Sequence, residues 1–197
     1  MNKNNKNKII LILGESASGK TTVVEEIEKR YGYKSIQSYT TRPKRYKGEK
    51  GHIFVDREDY MFCDNGHKVI IMKKENDTNI KVQEIAYTYF NGNHYWADMN
   101  QVEDVDTWFY IVDKAGINYM KSVAEDKIDF ITIYITAPFL TRVKRILKRD
   151  GLKKGISRLW NDFKMFRGLE YDYKVVNKDL EKSVNKVYKI SKEFMEK

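Results

Sequence analysis

The eight residues Gly14-Glu15-Ser16-Ala17-Ser18-Gly19-Lys20-Thr21 fill every fixed position of the pattern G-x-x-x-x-G-K-[ST]. Glycines at 14 and 19 let the backbone turn tightly and aim its N–H groups inward, where the positive end of a following helix helps them hold a polyphosphate. Lys20 then reaches the β- and γ-phosphates, and the Thr21 hydroxyl holds Mg2+. Residues Gly14, Glu15, Ser16, Ala17, Ser18, Gly19, Lys20, Thr21 and Thr22 are therefore expected to bind ATP. The alternative is a chance match in a Gly/Ser turn, and the flanking segments weigh against it.

Positive charge is concentrated in two further stretches. Thr40–Lys50 carries a net charge of +4 and Arg142–Arg158 a net charge of +7, in a chain whose total is +9, so the remainder is slightly acidic. Charge this local suits two phosphate-handling patches better than a surface that adheres to any polyanion. Aromatic residues fall inside apolar patterns and form no spaced basic-aromatic platform for stacking bases, so nucleic acid is not an expected partner. Trp108-Phe109-Tyr110-Ile111-Val112-Asp113 ends an apolar run in an acid. An aspartate delivered at the carboxyl end of a buried strand can order Mg2+ or its water shell, although a turn aspartate looks the same in sequence.

The elements that must position these groups can be read from hydrophobic period. Lys8–Leu13 is a short apolar run rich in β-branched residues, suited to a strand buried on both faces of a parallel sheet. Val23, Val24, Ile27 and Tyr31 recur at helical spacing after the glycine-rich loop. Strands are expected at Trp108–Asp113, Asp129–Ile135 and Tyr173–Val176. Between the last two, Phe139, Leu140, Val143, Ile146 and Leu147 are expected to line one face of a helix and Arg142, Arg145 and Arg149 another. A stretch with Gly151 and Gly155 follows, and a further helix is expected to begin near Ser157. The C-terminal helix is expected to bury Leu180, Val184, Val187, Ser191 and Phe194. Alternating strands and helices imply an α/β fold with a parallel sheet and ligands at the carboxyl ends of its strands. Residues 34–104 break that rhythm and read as a small mixed lobe inserted into the core, with Lys73–Asn79 as a loop.

With 197 residues and 41% hydrophobic content, the chain suits one domain with an inserted lobe. Its polar, basic N-terminus precedes an apolar run too short for a signal peptide or a membrane span, so a cytoplasmic protein with no membrane partner is expected. Cys63 is the single cysteine, and His52, His67 and His94 are not at metal-ligand spacing. Those counts exclude an intrachain disulfide and argue against a zinc or iron centre.

Ser38-Tyr39-Thr40-Thr41-Arg42-Pro43-Lys44-Arg45, followed by Gly48-Glu49 and Gly51-His52-Ile53-Phe54-Val55, resembles the monophosphate-binding segment of guanylate kinases. Ile135-Thr136-Ala137-Pro138 is similar to that family's strand-to-helix junction, Arg145 through Arg158 to its lid, and Tyr171–Leu180 to its closing strand and turn. The resemblance covers nearly the whole chain in order. It implies a P-loop three-layer fold: a core of residues 1–33 and 105–197 with a short lid at about 149–158, and a lobe at 34–104 that binds the nucleoside monophosphate. By the same resemblance, Ser38, Arg42 and Arg45 hold the acceptor phosphate with help from His52, Tyr95 and Asp113. Arg149 and Arg158 close over the transferring group, Asn177 lies near the adenine of ATP, and Thr21 and Asp113 hold Mg2+. Lys20, Arg42, Arg149 and Arg158 carry catalysis, because transfer between two polyanions needs charge neutralisation and alignment more than covalent help. The implied activity is ATP-dependent phosphorylation of GMP or dGMP by a monomer or homodimer.

Three departures qualify the substrate. His52 stands where the family has a tyrosine, and the segment approaching Gly92 is about fifteen residues longer, placed around 64–82. Ala86 and Ala97 stand where the family has its guanine-reading glutamate and a small hydroxyl residue. Glu84 lies two residues from Ala86 and Asp98 one beyond Ala97, so a local bulge could bring a carboxylate back to the base. Another nucleoside monophosphate or a phosphorylated sugar therefore remains a possible acceptor. A non-catalytic guanylate-kinase-like binding module is disfavoured by the intact loop lysine and lid arginines.

Overall fold

Ile9, Ile10, Leu11, Ile12 and Leu13 are all fully buried, the burial pattern of a strand covered on both faces. They form most of β1 (Asn7–Leu13), which runs straight into the glycine-rich loop and then α1 (Lys20–Tyr31). Helix α1 turns Val23, Val24 and Ile27 inward and stops at Gly32, whose φ of 77° and N–H bond to the Glu28 carbonyl close the last turn. The computed structural model describes residues 6–44, 46–49, 51–56, 60–62, 69–73, 79–90, 92–124 and 126–197. Arg45, and the loop expected between Lys73 and Asn79, lie outside them, the latter except for its two end residues.

Along the chain follow β2 (Lys34–Ile36), β3 (Tyr39–Thr40), β4 (Ile53–Phe54), β5 (Tyr60–Phe62), β6 (Val69–Lys73), β7 (Asn79–Phe90) and β8 (Asn93–Asp98). Then come β9 (Thr107–Ile111), α2 (Lys114–Ala124), β10 (Ile128–Thr136), α3 (Phe139–Phe166), β11 (Tyr173–Val176) and α4 (Leu180–Met195). The fold is α/β. One compact unit comprises Lys8–Ser35, Trp108–Lys114 and Asp129–Lys197; the other is built mainly from Ile36–Thr107 and Ala115–Ile128.

The first unit holds a five-stranded sheet in the order β11-β10-β1-β9-β2, with β1 parallel to β9 and β10 parallel to β11. Ile10, Ile12, Phe109, Ile133, Ile135 and Val175 from the sheet join Val23, Val24 and Ile27 of α1 and Val184 and Val187 of α4 in one apolar cluster. Each such buried aliphatic side chain contributes about 1.5–3 kcal/mol relative to exposure. Parallel strands put the ends of β1 and β9 at the same edge, so the glycine-rich loop and Asp113 leave neighbouring strands on one side of the sheet.

Helix α3 departs from expectation in two ways. No helix begins near Ser157: α3 resumes immediately after Gly151, the one residue inside it with non-helical angles (φ 74°, ψ 176°). One left-handed residue is enough to break and redirect the helix, whereas Gly155 lies within it because a side chain there would press on Leu147 and Ile146. The expected faces are also partly exchanged. Ile146 is buried, but Phe139 and Leu140 are exposed while Arg142 is 7% exposed. Arg142 is buried because its guanidinium is satisfied by partners distant in sequence, described below.

In the second unit a six-stranded sheet runs β4-β3-β8-β7-β6-β5. Strands β7 and β8 form an antiparallel hairpin in which Phe90 pairs with Asn93 and Ala86 with Ala97. The register then shifts, so that Glu84 pairs with Asp98. The shift is a β-bulge, which re-aims the residues beyond it. Asp98 also caps a short 3-10 turn, Met99–Gln101, by accepting from the Asn100 N–H. Among the described residues no helix is long and apolar enough to cross a membrane.

Candidate active site

The glycine-rich loop has the conformation its sequence requires. Gly14 has a φ of 149° and its missing side chain makes room for the Ile135 carbonyl; Gly19, at φ 90°, sits at the N-terminus of α1 where a Cβ would collide with the Asn177 amide. Ala17 takes a φ of 59° without being glycine, a strained state that costs about 1–2 kcal/mol. Lys20 folds back over the loop and donates to the carbonyls of Gly14 (2.6 Å) and Glu15 (3.0 Å). Burial lowers its pKa to about 8, against the opposing pull of Asp162 and Glu15.

The loop forms one wall of a cavity of about 650 Å³. Ser16, Ala17, Gly19, Lys20, Thr21 and Thr22 line it together with Arg149, Arg158 and Asn177, so nine of the residues expected to handle ATP or the transferring phosphoryl are brought together. Asn177 is buried: its amide donates to the Ser18 carbonyl (3.0 Å) and accepts from the Ser183 hydroxyl (3.2 Å). Gly14, Glu15 and Ser18 shape the loop without lining the cavity. Asp113 follows β9, where Val112 donates to the Ile12 carbonyl, and it too lies outside the cavity lining.

Four residues of this cluster have no site role in the sequence reading, although Arg145 and Lys178 fall inside its lid and closing-turn segments. Arg145 and Lys178 line the cavity, and Arg145 donates to the Ala17 carbonyl at 3.1 Å. Arg142 joins Glu15 and Asp162 in a buried ion-pair network, both at 2.9 Å. The dense basic run of α3 was the available signal for the arginines. Nothing in the local sequence distinguishes Asp162.

The candidate acceptor residues Ser38, Arg42, His52, Glu84 and Tyr95 lie in the second unit, while Arg45 is outside the described residues. Arg42 is held in a two-pronged pair by Glu49, at 2.9 and 3.2 Å, and lies over the Phe54 ring at 5.2 Å. Its buried Nε–H has no hydrogen-bond partner among the described residues. His52 meets Phe54 and Tyr95 edge-on, with ring centroids 6.1 and 5.8 Å apart. The Ser38 carbonyl accepts from Ile53, tying β4 to the chain before β3.

Ala86 and Ala97 face each other across the hairpin and are fully buried, while the next pair beyond the bulge is Glu84 and Asp98, also buried. Burial raises the Glu84 pKa to about 7, although the Tyr119 hydroxyl donates to it, and burial likewise raises that of Asp98. No group of three or more His, Cys, Asp or Glu residues suited to a metal occurs among the described residues. Mg2+ bound with a triphosphate does not need one, because phosphate oxygens and waters supply most of its six ligands.

The guanylate kinase family model matches residues 6–194. A guanylate kinase of Prochlorococcus marinus subsp. pastoris is 25% identical to the chain, over 95% of this chain and 98% of the relative. That of Anaplasma phagocytophilum is 29% identical over 92% of this chain and 85% of the relative. The crystal structure of guanylate kinase from Anaplasma phagocytophilum superposes with a TM-score of 0.58 and 26% identity, covering 98% of this chain and 88% of that one.

Proposed function

The chain belongs to the guanylate kinase family, and we propose that it acts as a nucleoside monophosphate kinase in which the loop cavity takes ATP and the second unit takes GMP. The observation that carries this reading is the cavity lined jointly by the glycine-rich loop, Lys20, Arg149 and Arg158, groups that donate hydrogen bonds and positive charge to phosphate. Loop amides and the N-terminus of α1 bind the triphosphate, and Lys20 leaves the Gly14 and Glu15 carbonyls for the β- and γ-phosphates. Arg149 and Arg158 neutralise the charge spread over the transferring group, a task to which the planar guanidinium is suited. Thr21 and Asp113 offer the hydroxyl and carboxylate that would hold Mg2+, which would supply charge neutralisation for the transferring group.

On the acceptor side, Arg42 supplies its positive charge to the monophosphate, and Ser38, Arg45, His52 and Tyr95 complete that grip. Glu84 accepts from guanine, which presents a ring N–H and an exocyclic amine that a carboxylate fits. The lobe at 34–104, the lid at about 149–158, a cytoplasmic location and a monomeric or homodimeric state belong to the same proposal. Chromatography of a mixture of protein, ATP, Mg2+ and GMP tests it: GDP and ADP should appear in equal amounts. ADP formed without GDP would show hydrolysis instead of transfer.

A further inference from the structure

A loop that binds a polyanion must turn its N–H groups toward the ligand and its carbonyl oxygens away from it. In this chain the five carbonyls from residue 14 to residue 18 all accept from side chains, four in number. Lys20 takes those of Gly14 and Glu15, Arg142 Nε that of Ser16 (3.2 Å), Arg145 that of Ala17, and Asn177 that of Ser18. Lys20 gives up its two carbonyls when it turns to the phosphates, so the carbonyls of Ser16, Ala17 and Ser18, held by Arg142, Arg145 and Asn177, are the ones whose donors stay in place.

Arg142 is kept in place by Asp162. The Asp162 carboxylate accepts from Arg142 Nη2 at 2.9 Å and, with the same oxygen, from the Ser16 amide at 2.9 Å; its other oxygen accepts from the Ser16 hydroxyl at 3.0 Å. Glu15 takes the opposite side of the guanidinium at 2.9 Å. Asp162 is 8% exposed, so these partners, and not water, meet its charge. It also sits one helical turn after Arg158, which lines the cavity, on the part of α3 that follows the break at Gly151. One carboxylate therefore fixes the start of the loop, the arginine behind it and the helix that presents Arg158.

We infer that Asp162 is a positioning residue of the donor site: it takes the Ser16 amide for itself and, with Arg142, anchors the start of the loop so that the amides beyond Ser16 are set toward the triphosphate before ATP arrives. Asp162 does not line the cavity; it acts through the loop. The inference rests on the assignment of the cavity to ATP, and it assigns a donor-specific role to a residue outside the loop motif.

Calorimetric titration of ADP and ATP, without any acceptor, separates the two levels. Wild-type protein should bind one nucleotide; absence of binding to the wild type contradicts the donor-site assignment itself. Asp162→Asn, which keeps shape but loses the charge-assisted bonds, should weaken nucleotide binding about tenfold at unchanged stoichiometry. Ser16→Ala, a milder change that leaves the amide bond, should weaken it severalfold, and Ser16→Thr should restore it. In steady-state turnover KM for ATP should rise while KM for GMP stays constant. A purely structural staple would lower the melting temperature and leave the affinity of the folded fraction unchanged. Affinities of Asp162→Asn and Ser16→Ala within about twofold of wild type would overturn the inference.

Discussion

Arg42 and Glu49 are joined by both prongs of the guanidinium, at 2.9 and 3.2 Å, with both side chains largely withdrawn from solvent. Glu49 thereby fixes the plane of the arginine. Glu49→Gln keeps the shape and loses the charge that orients Arg42. It should raise KM for GMP about tenfold, the equivalent of one charge-assisted hydrogen bond, and leave KM for ATP unchanged. Initial rates with each substrate varied in turn check this, and an equal rise in both constants would contradict it.

Lys20 links nucleotide binding to pH. Its pKa is lowered by burial from 10.5 to about 8, and an arriving triphosphate raises it again by offering negative charge. Below pH 8 the free protein already carries the proton, so affinity for ATP is at its plateau. As pH rises above 8 the free lysine loses the proton that the complex retains, and affinity falls. Titrations at pH 8.5 in two buffers of different ionisation enthalpy should show net proton uptake, and Lys20→Met should abolish it. The same lowering means that the charged lysine costs stability below pH 8, a cost relieved between pH 8 and 10.5.

Glu84 should trade stability against acceptor binding. Burial raises its pKa from 4.5 to about 7, so between those values the native state keeps a proton that the unfolded chain has lost. Stability from this group is fully present below pH 4.5 and declines as pH rises to 7. Glu84→Gln should remove that decline, giving a variant more stable than wild type at pH 8 and little changed at pH 4. The same substitution should weaken GMP, because it removes the carboxylate acceptor for guanine. Thermal melts at the two pH values, with GMP titrations, check both halves. A variant that binds GMP as tightly as wild type would remove Glu84 from the base-reading role.

Ala17 holds a positive φ that glycine adopts freely. Ala17→Gly should relieve that strain and, after the added flexibility of the unfolded chain, leave the protein about 0.5–1 kcal/mol more stable. Gly19→Ala should act oppositely: its methyl group meets the Asn177 amide that holds the loop, so ATP binding should be lost even where the protein folds. Urea unfolding midpoints for the first variant and nucleotide titration for the second provide the readouts.

The loop motif and its flanks were legible because both are local. The apolar run into Leu13, the glycines and the helical spacing of Val23, Val24 and Ile27 state the strand, turn and helix within a couple of dozen residues. That the sheet is parallel follows from strands alternating with helices, whereas the pairing of β1 with β9 and of β10 with β11 needs the fold. Helical spacing puts Arg142 on a basic face opposite Phe139 and Leu140, and misses its burial because its partners are remote, Glu15 by 127 positions and Asp162 by 20. The same spacing cannot show that Phe139 and Leu140 end up exposed. The bulge beside Ala86 was open as an option, since Glu84 and Asp98 stand near the two alanines, but only the pairing of β7 with β8 puts those carboxylates opposite each other. Glu49 stands in the segment that carries the family resemblance, but its grip on Arg42 needs the fold of the chain between β3 and β4.

Turnover in a coupled assay for ADP, with ATP and Mg2+ against a panel of ribo- and deoxyribonucleoside monophosphates and ribose phosphates, tests the central claim most directly. GMP and dGMP should give the highest kcat/KM, the rate should vanish without Mg2+, and Lys20→Ala should abolish it with the fold intact by circular dichroism. ADP release that never exceeds the acceptor-free rate, or that responds only to a ribose phosphate, would contradict a guanylate-directed kinase.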